Sequence, residues 1–307
     1  MLQTIQLQNN RPKRAPRFNP GLVARALRIH QWTKNLLVFL PLVLGGLALS
    51  PRAWIVSCIG FIALSLTCSS TYLINDLADL KHDRQHRSKR HRPLASGELG
   101  TGNAIVMAAV CLAFGTLLST YLGTAALAVL AGYVTLTLAY TFALKKIPLL
   151  DVFVIALLFT LRLVLGIVIV GVALSPWLLL FSMFSFLSLA LAKRYTEIQA
   201  TKRSTATGRG YLAIDAPLLL ALGTAAFLGA VLILILYLIE DAFPQTFYLH
   251  PQYLWGLPGV VFVFFSRIWL AAQRGVLHDD PVFFAIKDAA SLACGAAALL
   301  TIVSALI

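Results

Sequence analysis

The chain has 307 residues, 59% hydrophobic and 12% charged, with a formal net charge of +13. Soluble domains carry about 25% charged residues, so a water-soluble globule is excluded and a polytopic membrane protein is expected. The excess cations are divided among short loops instead of forming one stripe or tail. That distribution fits the positive-inside rule and anionic headgroups, and argues against nucleic-acid binding.

Residues 1–20 are basic and lack an apolar run, so they read as a cytoplasmic tail and not as a signal peptide. Residues 21–307 read as a single catalytic domain. A crossing needs about 17–25 mostly apolar residues. Nine stretches qualify: 34–50, 53–73, 102–119, 122–142, 149–172, 175–192, 216–238, 252–270 and 288–307. The expected class is therefore all-α, a nine-helix membrane bundle. Lys and Arg fall in alternate loops, which puts the N-terminus and the basic loops in the cytoplasm and the C-terminus outside the plasma membrane. Cys58, Cys68, Cys111 and Cys294 lie in apolar stretches without metal or disulfide spacing, and read as small hydrophobes.

At the cytoplasmic edge of the first stretch, HQWTKNLLVF groups His30, Gln31, Lys34 and Asn35 into one polar patch, with Trp32 suited to an interfacial anchor. Lys34 and Asn35 are candidates for the mouth of a pocket. After the second stretch comes NDLADLKHDRQHRSKRHRPLASG, residues 75–97. At 100° per residue Asp76, Asp79 and Asp83 share one helical face, and Asn75 lies beside it. Converging carboxylates repel unless a cation joins them, and Mg²⁺ typically sits between one or two carboxylates and substrate phosphates. These three are the expected metal ligands and catalytic carboxylates. Lys81, Arg84, Arg87, Lys89, Arg90 and Arg92 surround them. Arg84, Lys89, Arg90 and above all Arg92 are candidate phosphate ligands. His82, His86 and His91 read as solvated or substrate-edge residues.

Further along, YTFALKKIPLLDVFVIALLFTLR supplies Tyr140, Lys145 and Arg162 as candidate substrate-binding residues. Arg162 lies deep in the fifth stretch, where a charge needs a polar surrounding. Asp151 is three turns away, too far for a direct pair, so either another helix or a substrate phosphate is expected to meet it. AKRYTEI supplies Lys193 and Arg194 as phosphate candidates, although Lys193 and Glu197 are spaced for a helix-end salt bridge. In HDDPVFFAIKD, His278, Asp279 and Asp280 have ligand chemistry, but Asp280 before Pro281 reads more simply as a helix cap.

NDLADLKHD followed by RPLASG, within nine apolar stretches, resembles the UbiA superfamily of intramembrane prenyltransferases over nearly the whole chain. That family commonly carries a second acidic motif, DxxxD, after the sixth span, and here the corresponding stretch is KRYTE. HQWTKNLLVF, LKKIPLLDVFVIALLFTLR and DDPVFFAIKD are similar to the decaprenyl-phosphate phosphoribosyltransferase branch. The resemblance implies Mg²⁺-dependent transfer of 5-phosphoribose from phosphoribosyl diphosphate (PRPP) to a polyprenyl phosphate, feeding arabinosyl donor synthesis for the cell envelope. A prenyltransferase with an aromatic acceptor, a lipid-phosphate transporter and a non-catalytic assembly subunit stay open at this point, as does homo-oligomer formation.

Overall fold

The computed structural model describes residues 20–85, 89–201, 210–277 and 280–307. Residues 1–19 of the expected tail, and the candidates Arg87, His86, His278 and Asp279, lie outside the described residues. The described part is helical throughout: α1 Pro20–Ala26, a 3₁₀ segment Ile29–Phe39, α2 Leu40–Leu44, α3 Pro51–Ala78, α4 Leu80–Gln85, α5 Thr101–Leu122, α6 Thr124–Phe142, α7 Leu150–Val170, α8 Pro176–Thr201, α9 Ala216–Tyr237, α10 Gly256–Gln273, α11 Pro281–Lys287 and α12 Ala289–Leu306.

Among the described residues eight helices are long and apolar enough to cross a membrane. They correspond to the second through ninth expected stretches. The first stretch differs. Its helical part runs over Ile29–Phe39 and Leu40–Leu44 and not over 34–50. A 3₁₀ helix rises about 2.0 Å per residue and an α-helix about 1.5 Å, so together they reach roughly 30 Å, the hydrocarbon thickness. Gly46, at φ +71°, ends the run. Ser50 then starts α3 by accepting a hydrogen bond from the Ala53 amide at 3.3 Å, with Pro51 at the first helical position.

The 3₁₀ geometry also divides the expected polar patch, keeping Gln31 with Lys34 and turning Asn35 to another face. At three residues per turn, positions three apart eclipse and neighbours diverge by about 120°. Trp32 and Asn35 therefore both face α3, where Trp32 Nε1 donates to Ser69 Oγ at 3.0 Å and Asn35 Nδ2 to Ser65 Oγ at 2.9 Å. Trp32 is thus a tie between the 3₁₀ segment and α3. Lys34 points elsewhere.

Helices α3 and α7 form the buried centre, while α5 and α12 turn most of their surface outward. Side chains such as Val106, Phe114, Leu117 and Leu299 are exposed, as lipid-facing positions should be. Small residues set the close approaches. A Cβ on Gly115 of α5 would meet the Ala63 carbonyl oxygen of α3 at 2.9 Å, and one on Gly166 of α7 the Val38 carbonyl oxygen at 2.4 Å.

Candidate active site

Helix α3 runs past the expected end of its stretch, so Asn75 and Asp76 occupy its last turn. Asp79 is the junction residue and Asp83 sits on α4. The Asp79 amide donates to the Asn75 carbonyl and the Asp83 amide to the Asp79 carbonyl, each at 2.9 Å, so helical spacing continues across the junction. Asp76 and Asp83 are buried. Arg92 Nη1 donates to Asp76 Oδ1 at 2.9 Å and to Asp83 Oδ2 at 2.5 Å, so both carboxylates converge on one point. Asp79 does not join them. Lys145 Nζ donates to both its oxygens at 2.9 Å. Lys89 Nζ lies 3.8 Å from Asp83 Oδ1.

The turn that delivers Arg92 is firmly seated. The Leu99 amide bonds the Pro93 carbonyl at 2.8 Å, Gly97 takes φ +84°, and Leu94 and Leu99 bury against Leu73, Ala104 and Ala108. The sequence did not single out Arg28, whose Nη2 donates to Asp76 Oδ1 at 2.5 Å while its guanidinium lies 5.1 Å from the Tyr72 ring centre. Nothing in the local pattern separates it from an ordinary positive-inside cation. Arg84 and Arg90 are exposed and stand outside this cluster, and the Asn75 side chain makes no hydrogen bond among the described residues.

Among the described residues no three His, Cys, Asp or Glu side chains come together closely enough to hold a metal ion. The expected three-carboxylate face is therefore a converging pair, Asp76 and Asp83, with Asp79 drawn aside by Lys145. A pair still suits Mg²⁺, which takes one or two protein carboxylates and completes its shell with phosphate oxygens and water.

A second cluster joins the 3₁₀ segment, α8 and α11. Lys34 Nζ donates to Asp280 Oδ2 at 2.8 Å and Lys193 Nζ to the same oxygen at 3.2 Å. Asp280 Oδ1 accepts from the Val282 amide at 3.1 Å, which is the cap expected from the sequence. The expected Lys193–Glu197 bridge does not form, because Lys193 turns to Asp280 and Arg194 takes Glu197. Burial alone would raise the Asp280 carboxyl, but the Lys193 and Lys34 ammoniums outweigh it and hold the group well below the usual carboxylate range. Beside Lys34 opens an apolar groove of about 360 Å³ lined by Leu37, Leu40, Val43, Phe159 and Phe186.

Two expected phosphate ligands are occupied structurally. Arg194, 2% exposed at its side chain, donates through Nε to Asp151 Oδ2 at 2.6 Å and through Nη1 to Glu197 at 2.5 Å. Tyr211 donates to the other Asp151 oxygen at 2.5 Å, and burial together with that bond raises its hydroxyl pKa. Arg162 meets neither a carboxylate nor the open groove. Its guanidinium donates to Asn35 Oδ1 at 3.0 Å, the Leu158 carbonyl at 2.5 Å and the Tyr133 hydroxyl at 3.0 Å. All three acceptors are neutral, so its charge is retained, spread over the Phe159 and Tyr133 rings at 4.8 and 5.1 Å. Tyr140 packs against the core cluster that contains Leu64, Tyr133 and Leu158, and lies within the electrostatic reach of Arg194.

An acidic pair framed by cations and a cation-headed apolar groove share one end of a helical bundle, and the sequence profile of the UbiA prenyltransferase family matches residues 38–287. The chain belongs to that family. Among its relatives, an uncharacterized protein of Sinorhizobium fredii, y4nM, is 44% identical over 273 residues, covering 88% of this chain and 53% of that protein. Our chain thus spans about half of that relative. Nodulation protein NoeC of Azorhizobium caulinodans is 32% identical, with 88% of each covered. A decaprenyl-phosphate phosphoribosyltransferase of Corynebacterium glutamicum is 36% identical over 66% of this chain and 62% of its own length.

Solved UbiA structures share the fold. The Archaeoglobus fulgidus homologue bound to GPP and Mg²⁺ aligns at TM-score 0.63 and 16% identity, over 92% of this chain and 98% of that one. Its Cd²⁺-bound form aligns at 0.66 and 15%, over 93% and 98%. The chain is therefore a multi-pass membrane member of a transferase family.

Proposed function

We propose that this UbiA-family transferase moves 5-phosphoribose from PRPP to a polyprenyl phosphate. The observation that carries the reading is the pairing of one acidic site with one cationic, groove-headed site where the family's second acidic motif is expected. A donor diphosphate suits the first and a lipid monophosphate the second. Similarity to decaprenyl-phosphate phosphoribosyltransferases of Corynebacterium glutamicum and Mycolicibacterium smegmatis, at 36% and 38% identity, supports the same assignment.

Asp76 and Asp83, with Asp79 and Asn75 beside them, would hold the Mg²⁺ of the reaction, which when bound neutralises charge on the departing diphosphate. Arg92, Arg28 and Lys89 stand around that pair and Lys145 stands on the neighbouring Asp79, and the four bind the donor's phosphates. The bond from ribosyl C1 to the diphosphate oxygen breaks and its electron pair leaves with diphosphate. A phosphate oxygen of the lipid forms the new bond to C1. A phosphate dianion is already nucleophilic near neutral pH, so no protein base is needed. Lys34 and Lys193 orient the acceptor phosphate, and the apolar groove takes the first units of its chain. The basic loops, and with them the site, face the cytoplasm.

The test is purified protein in detergent with Mg²⁺, labelled PRPP and a polyprenyl phosphate. Labelled lipid that disappears on chelation and in Asp76→Ala supports the reading. The family's GPP-bound member favours a second one, prenyl transfer to an aromatic acceptor. Prenyl diphosphate consumed while PRPP is untouched would establish that reaction instead.

A further inference from the structure

Asp280 is more than a cap, because its second oxygen draws two lysines from two other elements onto one point. Lys34 and Lys193 lie 2.8 and 3.2 Å from that oxygen, and the three side chains are 13%, 33% and 23% exposed for Lys34, Lys193 and Asp280. Two ammoniums would otherwise repel each other at such range. Val282, the residue whose amide Asp280 caps, lines the groove together with Lys34. Behind them Phe159 carries Lys34 on its ring at 5.9 Å and Arg162 at 4.8 Å. Lys34 senses Asp280, Lys193 and Arg162 as its charged neighbours. Among the described residues Lys34, Lys193 and Asp280 meet at the head of the groove, and the Arg162 charge, outside the groove and behind Phe159, adds to their field through space, so three positive charges and one negative act there.

A phosphate monoester carries between about −1.5 and −2 near neutral pH, which matches this balance, and a prenyl diphosphate carries about one negative charge more. We infer that Asp280 is a positioning and specificity residue: it gathers Lys34 and Lys193 into one anion seat and sets that seat's charge for a lipid monophosphate over a lipid diphosphate. The inference rests on the acceptor assignment proposed above. It adds the residue that chooses between two lipid anions, a choice that matters because lipid diphosphates share the same membrane and fit the same apolar groove.

Asn and Ser are both good helix caps, so Asp280→Asn and Asp280→Ser remove the charge while keeping the start of α11. The experiment measures binding of farnesyl phosphate and of farnesyl diphosphate to the full chain in nanodiscs, without PRPP. Wild type should prefer the monophosphate, and each variant should shift the ratio toward the diphosphate by about tenfold. A folding defect would weaken both ligands together and leave the ratio in place. An unchanged ratio in both variants overturns the role of Asp280, and so does a wild type that prefers the diphosphate. Failure of wild type to bind either probe would instead overturn the acceptor reading on which it rests, whereas absence of PRPP turnover with monophosphate preference intact would touch only the donor.

Discussion

At the scale of single residues, the buried cations divide into those that hold the bundle together and those whose charge remains for a ligand. Arg194 belongs to the first group, and removing its partner exposes that. Asp151→Ala leaves the 2%-exposed guanidinium with Glu197 as its remaining carboxylate and takes the acceptor from the Tyr211 hydroxyl, a change that costs about 3 kcal/mol. The expected result is a clear fall in Tm in detergent, with a smaller fall for Asp151→Asn, which keeps an acceptor. An unshifted Tm for Asp151→Ala would reject the structural assignment. Asp280 makes a prediction in pH. Its carboxyl is held low by two lysines, so its stabilisation is fully present above the unfolded value near 3.9 and is lost only as pH falls through the depressed folded value. From pH 5 to 8 the Asp280 carboxylate should stay ionised. A rise in acceptor KM below about pH 6 should therefore follow the phosphate's own second ionisation, and appear equally in wild type and Asp280→Asn. A rise confined to wild type would contradict the low carboxyl.

At the scale of elements, the first crossing shows what a sequence can and cannot convey. Apolar length placed its helical part five to six residues late, at 34–50 against 29–44, whereas the acidic motif was legible because carboxylates beside RPLASG are chemically out of place in lipid. The angle between side chains was not legible, because it depends on whether a turn holds 3.0 or 3.6 residues. That difference sends Asn35 inward to Ser65 and Arg162 and leaves Lys34 to reach Asp280. It also hid the roles of Arg28 and Asp280, whose partners lie 48 and 246 positions away in the chain. Gly166 tests how firmly this segment is seated. A Cβ there would meet the Val38 carbonyl oxygen at 2.4 Å and Pro41 Cγ at 2.9 Å, whereas one on Gly132 meets nothing within 4 Å. Gly166→Ala should cost about 1–3 kcal/mol by pushing the 3₁₀ segment off α7 and should lower transfer with it. Gly132→Ala should hold Tm or raise it slightly, since Ala favours a helix interior over Gly, and equal Tm values for the two variants would mean that the contact yields.

At the scale of the whole molecule, the polar chemistry is one-sided. The carboxylate pair, the lysine seat and the turn that carries Arg92 all lie at the end of the bundle that holds the basic loops, while Glu240 and Asp241 lie at the end of the long α9 crossing. That asymmetry was readable in the sequence, because loop cations need no tertiary information to be counted. It also gives the orientation a direct test. The four native cysteines would be replaced, Cys68 by Ser so that a hydroxyl still meets Tyr133, which lies 3.2 Å from the thiol. Single cysteines would then be placed at the exposed positions Lys146 and Glu240. A membrane-impermeant maleimide should label Glu240→Cys in intact cells and Lys146→Cys only after lysis. The reverse pattern would turn the acidic pair toward the outside. PRPP is too highly charged to cross lipid unaided, so a site facing outward could not draw that donor from the cytoplasm, and the donor assignment would fall along with the orientation.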